Sequence, residues 1–269
     1  MPTIDLGPLG AVLSPAEDGF ATTAGRLEQL GYSTIWLTGG PMSALAQVAD
    51  AVRATTSATI ATGIIPVDTF AADDVAALYT ELETAAPGRF VVGLGGAHGA
   101  DPLTTLNAYL DRLDAVVPRE RRVMAALGPK MLHLARERAA GALPVLVTPE
   151  YVERARAELG PDATLAVEQL VVLETDAERA RRLARGPLGF LGQVPAYQAS
   201  FRRMGFGTDD IASLGDALVD GLVAWGEIGS VAARIAALRA AGADHVAVSI
   251  VADGDPPLEQ WQAVAAAVS

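Results

Sequence analysis

The chain contains no cysteine. That excludes a disulfide scaffold, a thiolate zinc site, an iron–sulfur cluster and a cysteine nucleophile together. Histidine is scarce as well: His98, His133 and His245 are the three present, too few for a His-rich centre, and no metal is expected. Lysine occurs once, at Lys130, beside nineteen arginines, which we read as a coding bias. Basic charge is in deficit, 20 Lys+Arg against 32 Asp+Glu, giving a formal charge of −12 and a pI near 4.6. Such a chain repels phosphate backbones, so nucleic acid is not an expected partner. No apolar run approaches the ~20 residues of a membrane helix, and Met1 to Gly10 lacks the basic region of a secretion signal. A soluble, cytoplasmic protein with no membrane partner is the expectation. What is plentiful is apolar residues, 51% of 269 against 19% charged, enough for one large core and too many for disorder.

Short Val/Ile/Leu-rich runs alternate with segments of helical spacing. The runs are Ile4 to Leu9, Ser33 to Thr38, Thr59 to Ile65, Phe90 to Gly95, Val123 to Leu127, Leu143 to Val147, Leu165 to Leu173 and His245 to Val251. Most are continuous rather than alternating, as in strands buried on both faces of a parallel sheet. Between them, Ser14-Pro15-Ala16-Glu17 reads as a capping box, and Asp101-Pro102 and Thr148-Pro149-Glu150 as similar helix starts. Leu45, Val48, Ala49 and Val52 form one helical stripe, as do Val231, Ile235 and Leu238. Gly31, Gly160 and Gly242 read as helix stops.

Eight strand-helix units of about 34 residues suit a single (β/α)8 TIM-barrel domain over residues 1–269, with a doubly wound open sheet as the alternative. Residues 186–225, between the seventh and eighth strands, are too long for one crossover helix. With Tyr197, Phe201, Phe206, Leu218 and Trp225, they predict a helical insertion, either a lid or an oligomer surface.

In such a barrel ligands sit at the C-terminal strand ends. The fourth run ends in Gly93-Leu94-Gly95-Gly96-Ala97-His98-Gly99, glycines that let a backbone approach a flat or anionic ligand, or that make an ordinary turn. His98 is the histidine at such a position, a proton-transfer candidate or a loop histidine. The fifth run ends in Ala126-Leu127-Gly128-Pro129-Lys130, a helix start that could hold a phosphate or simply begin a helix. Gly63, interrupting Thr62-Gly63-Ile64, marks a bulge. Asp68 beyond it reads as a loop carboxylate or cap. Trp36 could stack on a ring or fill the core, and Thr38 could donate to a ligand. Asp176 reads as an N-cap, Glu174 ends the seventh run, Asp253 and Asp255 read as turn residues, and His133 lies on an outer helix. His245 lies at the wrong end of its strand for chemistry.

Several segments together carry a resemblance. Gly31-Tyr32-Ser33-Thr34-Ile35-Trp36, Ile60-Ala61-Thr62-Gly63-Ile64, Arg89-Phe90-Val91-Val92-Gly93-Leu94-Gly95, Ala126-Leu127-Gly128-Pro129-Lys130-Met131-Leu132 and Ala240-Ala241-Gly242-Ala243-Asp244-His245-Val246 resemble the bacterial-luciferase-like flavin oxidoreductase superfamily. The likeness runs from Leu27 to Val251 and is strongest to its F420-dependent actinobacterial branch. The resemblance implies a TIM barrel, commonly a homodimer, that transfers hydride between coenzyme F420 and a small organic substrate. FMN-dependent monooxygenase or reductase activity and a non-catalytic cofactor-binding barrel are the alternatives. It implies a cis peptide at Gly63-Ile64 behind the cofactor ring, Gly93, Gly95, Ala97 and His98 flanking the ring, and Leu127-Gly128-Pro129-Lys130 at its phosphate. Thr38, Thr62 and Ala126 complete the expected cofactor set, and His98 is the expected proton donor. Two departures stand out: Leu37-Thr38-Gly39-Gly40 occupies a strand end where several relatives carry a catalytic histidine, and Leu143 stands where close relatives often carry another.

Overall fold

The computed structural model describes residues 4–97, 99 and 101–268. Ten parallel-paired strands occur there: β1 (Leu9–Leu13), β2 (Thr34–Leu37), β3 (Thr59–Thr62), β4 (Ile65–Pro66), β5 (Phe90–Gly95), β6 (Arg122–Met124), β7 (Gly141–Ala142), β8 (Thr164–Val172), β9 (Ala224–Trp225) and β10 (His245–Ile250). Pairing runs β10-β1-β2-β3-β5-β6-β7-β8 and returns through β8–β10, so eight strands close a (β/α)8 barrel; β4 and β9 are short additions at its rim. The open-sheet alternative is thereby overturned. Around it lie α1 (Phe20–Gln29), α2 (Ala46–Ala54), α3 (Ala72–Ala85), α4 (Pro102–Leu113), α5 (Pro129–Arg138), α6 (Pro149–Leu159), α7 (Ala177–Leu191), α8 (Pro195–Met204), α9 (Thr208–Ser213), α10 (Asp216–Leu222), α11 (Ile228–Ala240) and α12 (Leu258–Val268).

Alternation along each strand sends one side-chain set into the barrel and the other under the helices. The inner set, with Val12, Trp36, Ala61, Val91, Val123, Leu143, Ala166 and Ala247, forms one buried cluster. The outer set joins the helical stripes in a larger one, including Val48, Ala49 and Val52 of α2 and Val231, Ile235 and Leu238 of α11. Asp101, Thr148 and Asp176 cap α4, α6 and α7 by accepting from backbone amides three residues on. Gly31, Gly160 and Gly242 adopt positive φ beyond their helices.

Three expectations need correcting. The first strand is Leu9–Leu13, not Ile4 to Leu9; Gly7 turns the chain at φ 65, and Ile4 and Leu6 instead plug the barrel from below. The Ser14 box does not open a helix: Ala16 N bonds the Ser14 hydroxyl in a turn, and α1 starts at Phe20 after Gly19 at φ 73. The sixth strand is Gly141–Ala142, upstream of Leu143 to Val147, of which only Val145 makes an isolated bridge, to Glu168.

Four helices lie between β8 and β9. They begin at Ala177 rather than Gly186, because Pro187 sits inside α7 without ending it. They build their own core with Leu146, Leu170 and Val172. Gln169 Nε2 donates to Leu222 O at 3.0 Å, and Arg203 of α8 donates to Leu127 O at 3.1 Å. These bonds set the helical segment against the C-terminal ends of β6 and β8.

Candidate functional site at the C-terminal mouth

The lower barrel is closed. Trp36 Nε1 donates to His245 Nε2 at 3.0 Å, and His245 Nδ1 donates to Gly7 O at 2.7 Å, which fixes a neutral imidazole. Burial pushes the His245 pKa down to about 4. Trp36 is therefore core, and a ligand reaches the barrel only from the C-terminal side.

On that side β3 bulges. Ala61 pairs with Val91 and Ile65 with Leu94, so four residues on one strand span three on the other. Within the bulge the Gly63-Ile64 peptide is cis, where the resemblance placed it. Thr62 is fully buried; its hydroxyl donates to Gly93 O at 3.0 Å and accepts from Gly93 N at 2.9 Å, replacing a missing rung. Gly63 and Ile64 remain partly exposed.

The glycines around the bulge first serve the chain's own packing. A Cβ on Gly93 would lie 1.7 Å from Thr62 O, and one on Gly39 1.6 Å from Ile64 O. On Gly95 it would meet Ala125 Cβ at 2.9 Å and the Ile64 side chain at 3.1 Å. Close main-chain contact thus explains these glycines without a ligand, and the bulge is wedged between β2 and β5.

One strand further on, Ala126 is buried and its carbonyl accepts from Tyr151 Oη at 3.1 Å. Leu127 and Gly128 are partly exposed, and Gly128 precedes α5 with no side-chain cap. The guanidinium of Arg203 lies 3.6 Å from where a Gly128 Cβ would sit. The mouth thus brings together Thr62, Gly63, Ile64, Gly93, Gly95, Ala126, Leu127 and Gly128.

The remaining expected residues lie at the edges of this group. Pro129 and Lys130 are exposed and line an outer groove with Leu103, Asn107 and His133. Thr38 donates to Leu13 O at 3.3 Å and lines a cavity of about 150 Å³ at the C-terminal ends of β1, β2 and β10, with Ser14, Glu17, Ser249 and Asp255. There, burial and then the Asp255 charge push the Glu17 carboxyl pKa up. Ala97 packs partly buried against the main core. His98 lies outside the described residues. His133 is exposed on α5, its Nε2 3.1 Å from Glu137. Glu174 pairs with Arg179 at 3.1 Å.

Sequence reasoning missed Glu168, Tyr197 and Arg203. Glu168 lies on β8 two residues beyond Ala166 of the barrel interior, so it faces inward. Burial pushes its carboxyl up to about 7. The available signal was a single carboxylate within the run Leu165 to Leu173. Tyr197 sits on α8, where burial and then the Glu168 charge raise its phenol pKa. Arg203 carried no sequence signal, since only folding brings α8 to β6.

No protein-family model matches the chain, and no curated protein matches it in sequence. Solved structures do match over nearly full length. An F420-dependent tetrahydromethanopterin reductase of Methanopyrus kandleri superposes with a TM-score of 0.75 at 16% identity, covering 96% of each chain. An F420-dependent secondary alcohol dehydrogenase, solved with an F420-acetone adduct, gives 0.72 at 16% identity, over 97% of this chain and 99% of that one. The oxygenating constituent of 3,6-diketocamphane monooxygenase of Pseudomonas putida, solved with FMN, gives 0.69 at 15% identity, over 96% and 95%. The likeness shows the fold. Among the described residues no helix is long and apolar enough to cross a membrane, and no group of three or more His, Asp or Glu could hold a metal.

Proposed function

We propose that this chain is a luciferase-like oxidoreductase that transfers hydride between coenzyme F420 and a small organic substrate. One observation carries the reading: the partly exposed Gly63-Ile64 bulge and the uncapped start of α5 under Arg203 stand at the C-terminal ends of neighbouring strands, where Ile64 and Ala125 both flank Gly95. This combination fits a planar ring with a phosphate-bearing tail. Ile64 offers the ring an apolar floor. The α5 N-terminus and the Arg203 guanidinium suit an anion, because helix-end amides and a fixed fork of donors both favour negative charge. The side chain of Lys130 lines the outer groove instead.

When bound, the deazaflavin supplies a reversible two-electron hydride carrier. The chain's own residues orient it and exclude water. Thr62 and Gly93 hold the bulge in place, and α8 covers the strand ends, so that reacting atoms meet in a fixed geometry. A small-molecule substrate and a homodimer complete the proposal, with the actinobacterial branch as its sequence background and the cytoplasm as its compartment.

FMN is the second reading, favoured by the full-length likeness to an FMN-bound monooxygenase. Titration of the purified protein with F420 and with FMN, followed by fluorescence quenching, separates the two. F420 is expected to bind at micromolar concentration and FMN at least tenfold more weakly. Tight binding of FMN alone supports the second reading, and binding of neither sinks both. If a bound reduced cofactor is never oxidised by a broad ketone and enoate panel, the barrel is a non-catalytic binder.

A further inference from the structure

The upper part of the barrel holds a carboxyl and a phenol that have no hydrogen-bond partner among the described residues. Glu168 projects into the barrel above Ala166, and its residue stays partly open to the mouth. Its own amide donates to Pro144 O at 3.0 Å, which pins its backbone, and its strand neighbours are Val145 and Ala247. Among the described residues its carboxyl has neither a hydrogen bond nor an ion pair. The same holds for the phenol of Tyr197, which packs against the cluster containing Leu146 and Leu170, the latter two residues beyond Glu168 on the same face of β8. Neither group is among the fully enclosed polar atoms that lack a partner, so both stay open to water or to a ligand.

We propose that Glu168, together with Tyr197, is the proton-exchanging pair of this mouth and serves a small uncharged ketone or secondary alcohol. The inference rests on the oxidoreductase reading above and names its substrate class. Chemistry selects that class. Around the pair stand Val145, Leu146, Leu170 and Ala247, all apolar, so a charged ligand would be desolvated without compensation. A carbonyl oxygen instead offers two lone pairs to two donors. A carboxylic acid kept neutral by an apolar site, working beside a tyrosine, is an established way to polarise a carbonyl.

The step balances. The carbonyl carbon receives two electrons and one hydrogen as hydride from a reduced deazaflavin or flavin, and the C=O π bond breaks. Its oxygen takes the proton of Glu168, which is left as carboxylate and recovers a proton from water. Alcohol oxidation runs the same path backwards, with Glu168 as base.

The groups facing Glu168 make the pH dependence simple to read. The segment after β7 presents Val145, β10 presents Ala247, and α8 presents Tyr197 through its packing with Leu146 and Leu170. Burial sets the ionisation of Glu168 near 7, so the acid form prevails below that pH.

A cofactor-free experiment tests this. Cyclohexanone is added to the protein, and its carbonyl stretch is followed by difference infrared spectroscopy from pH 5 to pH 9. Bound ketone is expected to show a lowered stretch at pH 5 that is lost on passing pH 7. In Glu168→Gln the residual shift is expected to be small and independent of pH, and Tyr197→Phe should reduce the shift while keeping its pH break. An unshifted stretch in the wild-type protein, or a pH break that survives in Glu168→Gln, overturns the proposal whether or not a cofactor binds. A shift that behaves as expected in a protein binding neither F420 nor FMN upholds Glu168 and sinks the redox reading instead. With cofactor bound, Glu168→Gln is expected to lower turnover at least 100-fold and leave cofactor affinity within twofold. Turnover within threefold of wild type would likewise overturn the assignment.

Discussion

At the N-terminal ends of the barrel strands several charged side chains finish on backbone atoms. Glu28 accepts from the amides of Thr56, Ser57 and Ala58 ahead of β3. Arg89 donates to the carbonyls of Val52, Thr55 and Ala58. Arg156 pairs with Asp244, whose carboxylate also accepts from Leu165 N, and Arg119 donates to Ala139 O. The C-terminal ends differ. There lie the β3 bulge, the left-handed Leu146 at φ 56 and the unpaired Glu168 and Tyr197. Leu146 is a β7-to-α6 loop residue held in a costly backbone region, and its fully buried side chain in the α7–α10 core is what keeps it there. Buried polar atoms without a partner occur at both ends, Arg122 Nε and Thr164 Oγ1 at strand starts and Ser200 Oγ on α8; what sets the C-terminal ends apart is the broken β3 ladder, the left-handed Leu146 and an inward-facing carboxyl with no partner among the described residues.

The contrast is sharpest in two buried titratable groups. His245 at the lower end has both ring nitrogens bonded, whereas Glu168 at the upper end has no partner among the described residues. His245→Ala is expected to cost about 3 to 4 kcal/mol, since it opens a cavity and strands the Trp36 N–H and the Gly7 carbonyl. Chemical denaturation at pH 7 measures it, and a loss below 1 kcal/mol would break the comparison. The pH dependence has opposite signs at the two ends. The folded pKa of His245, about 4, lies below its ordinary 6.5, so the unfolded chain takes up the proton first. Stability from this group is lost as pH falls from 6.5 to 4, by up to about 3 kcal/mol. The folded pKa of Glu168, about 7, lies above its ordinary 4.5, so its contribution is present at low pH and lost as pH rises through 7. Between pH 4.5 and 6.5 the two slopes oppose each other, and His245→Ala should expose a stability that declines with rising pH.

Glu28→Ala gives a smaller effect at the same lower end. Burial opposes ionisation of Glu28, but amides of Ser57, Thr56 and Ala58 and the Ser57 hydroxyl hold its carboxyl down at about 2. Losing them should cost about 1 to 2 kcal/mol at pH 7, discounted for solvent screening of a partly exposed group. Because this stability is present above the ordinary value of 4.5 and disappears toward pH 2, the melting curves of variant and wild type should converge in acid. A gap that persists at pH 2 would show that the carboxylate's charge is not what matters.

Much of this arrangement was legible in the residues because local chemistry decided it. Phe90–Gly95 is a strand as read, Asp101, Thr148 and Asp176 cap as read, and Gly63 interrupts its strand in a bulge. These depend on neighbours a few positions away. Strand limits were harder wherever two apolar stretches abut. Ile4 to Leu9 looks as strand-like as Leu9–Leu13, yet only closure of the barrel decides which one pairs and which one plugs. Likewise Gly141–Ala142 is too short and too small to signal a strand, and its place follows from a Cβ-free approach to Thr164 O, which a Gly141 Cβ would meet at 1.8 Å. The site residues divided on the same line. Gly63, Gly93 and Gly128 announce themselves as irregularities in pattern, whereas Arg203 and Tyr197 sit on a helix whose docking is purely tertiary.

Arg203→Ala is expected to move stability least and to separate the two ends most clearly. Its side chain is exposed and makes a single bond, to Leu127 O, so unfolding free energy should change by no more than about 0.5 kcal/mol. Its guanidinium nonetheless stands over the uncapped start of α5, where the proposed phosphate would sit. One charge-assisted contact at an exposed site is worth about 1 kcal/mol, so F420 affinity should fall roughly fivefold, and the weakening of binding by added salt should become shallower. Lys130→Ala serves as the control, because that side chain lines the outer groove and its loss should leave affinity unchanged. The expected pattern is the reverse of His245→Ala, which should disturb unfolding and, measured well below its melting point, leave binding intact. If Arg203→Ala lowers stability as much as His245→Ala, or Lys130→Ala lowers affinity as much as Arg203→Ala, the division between a stabilising face and a binding face does not hold for this barrel.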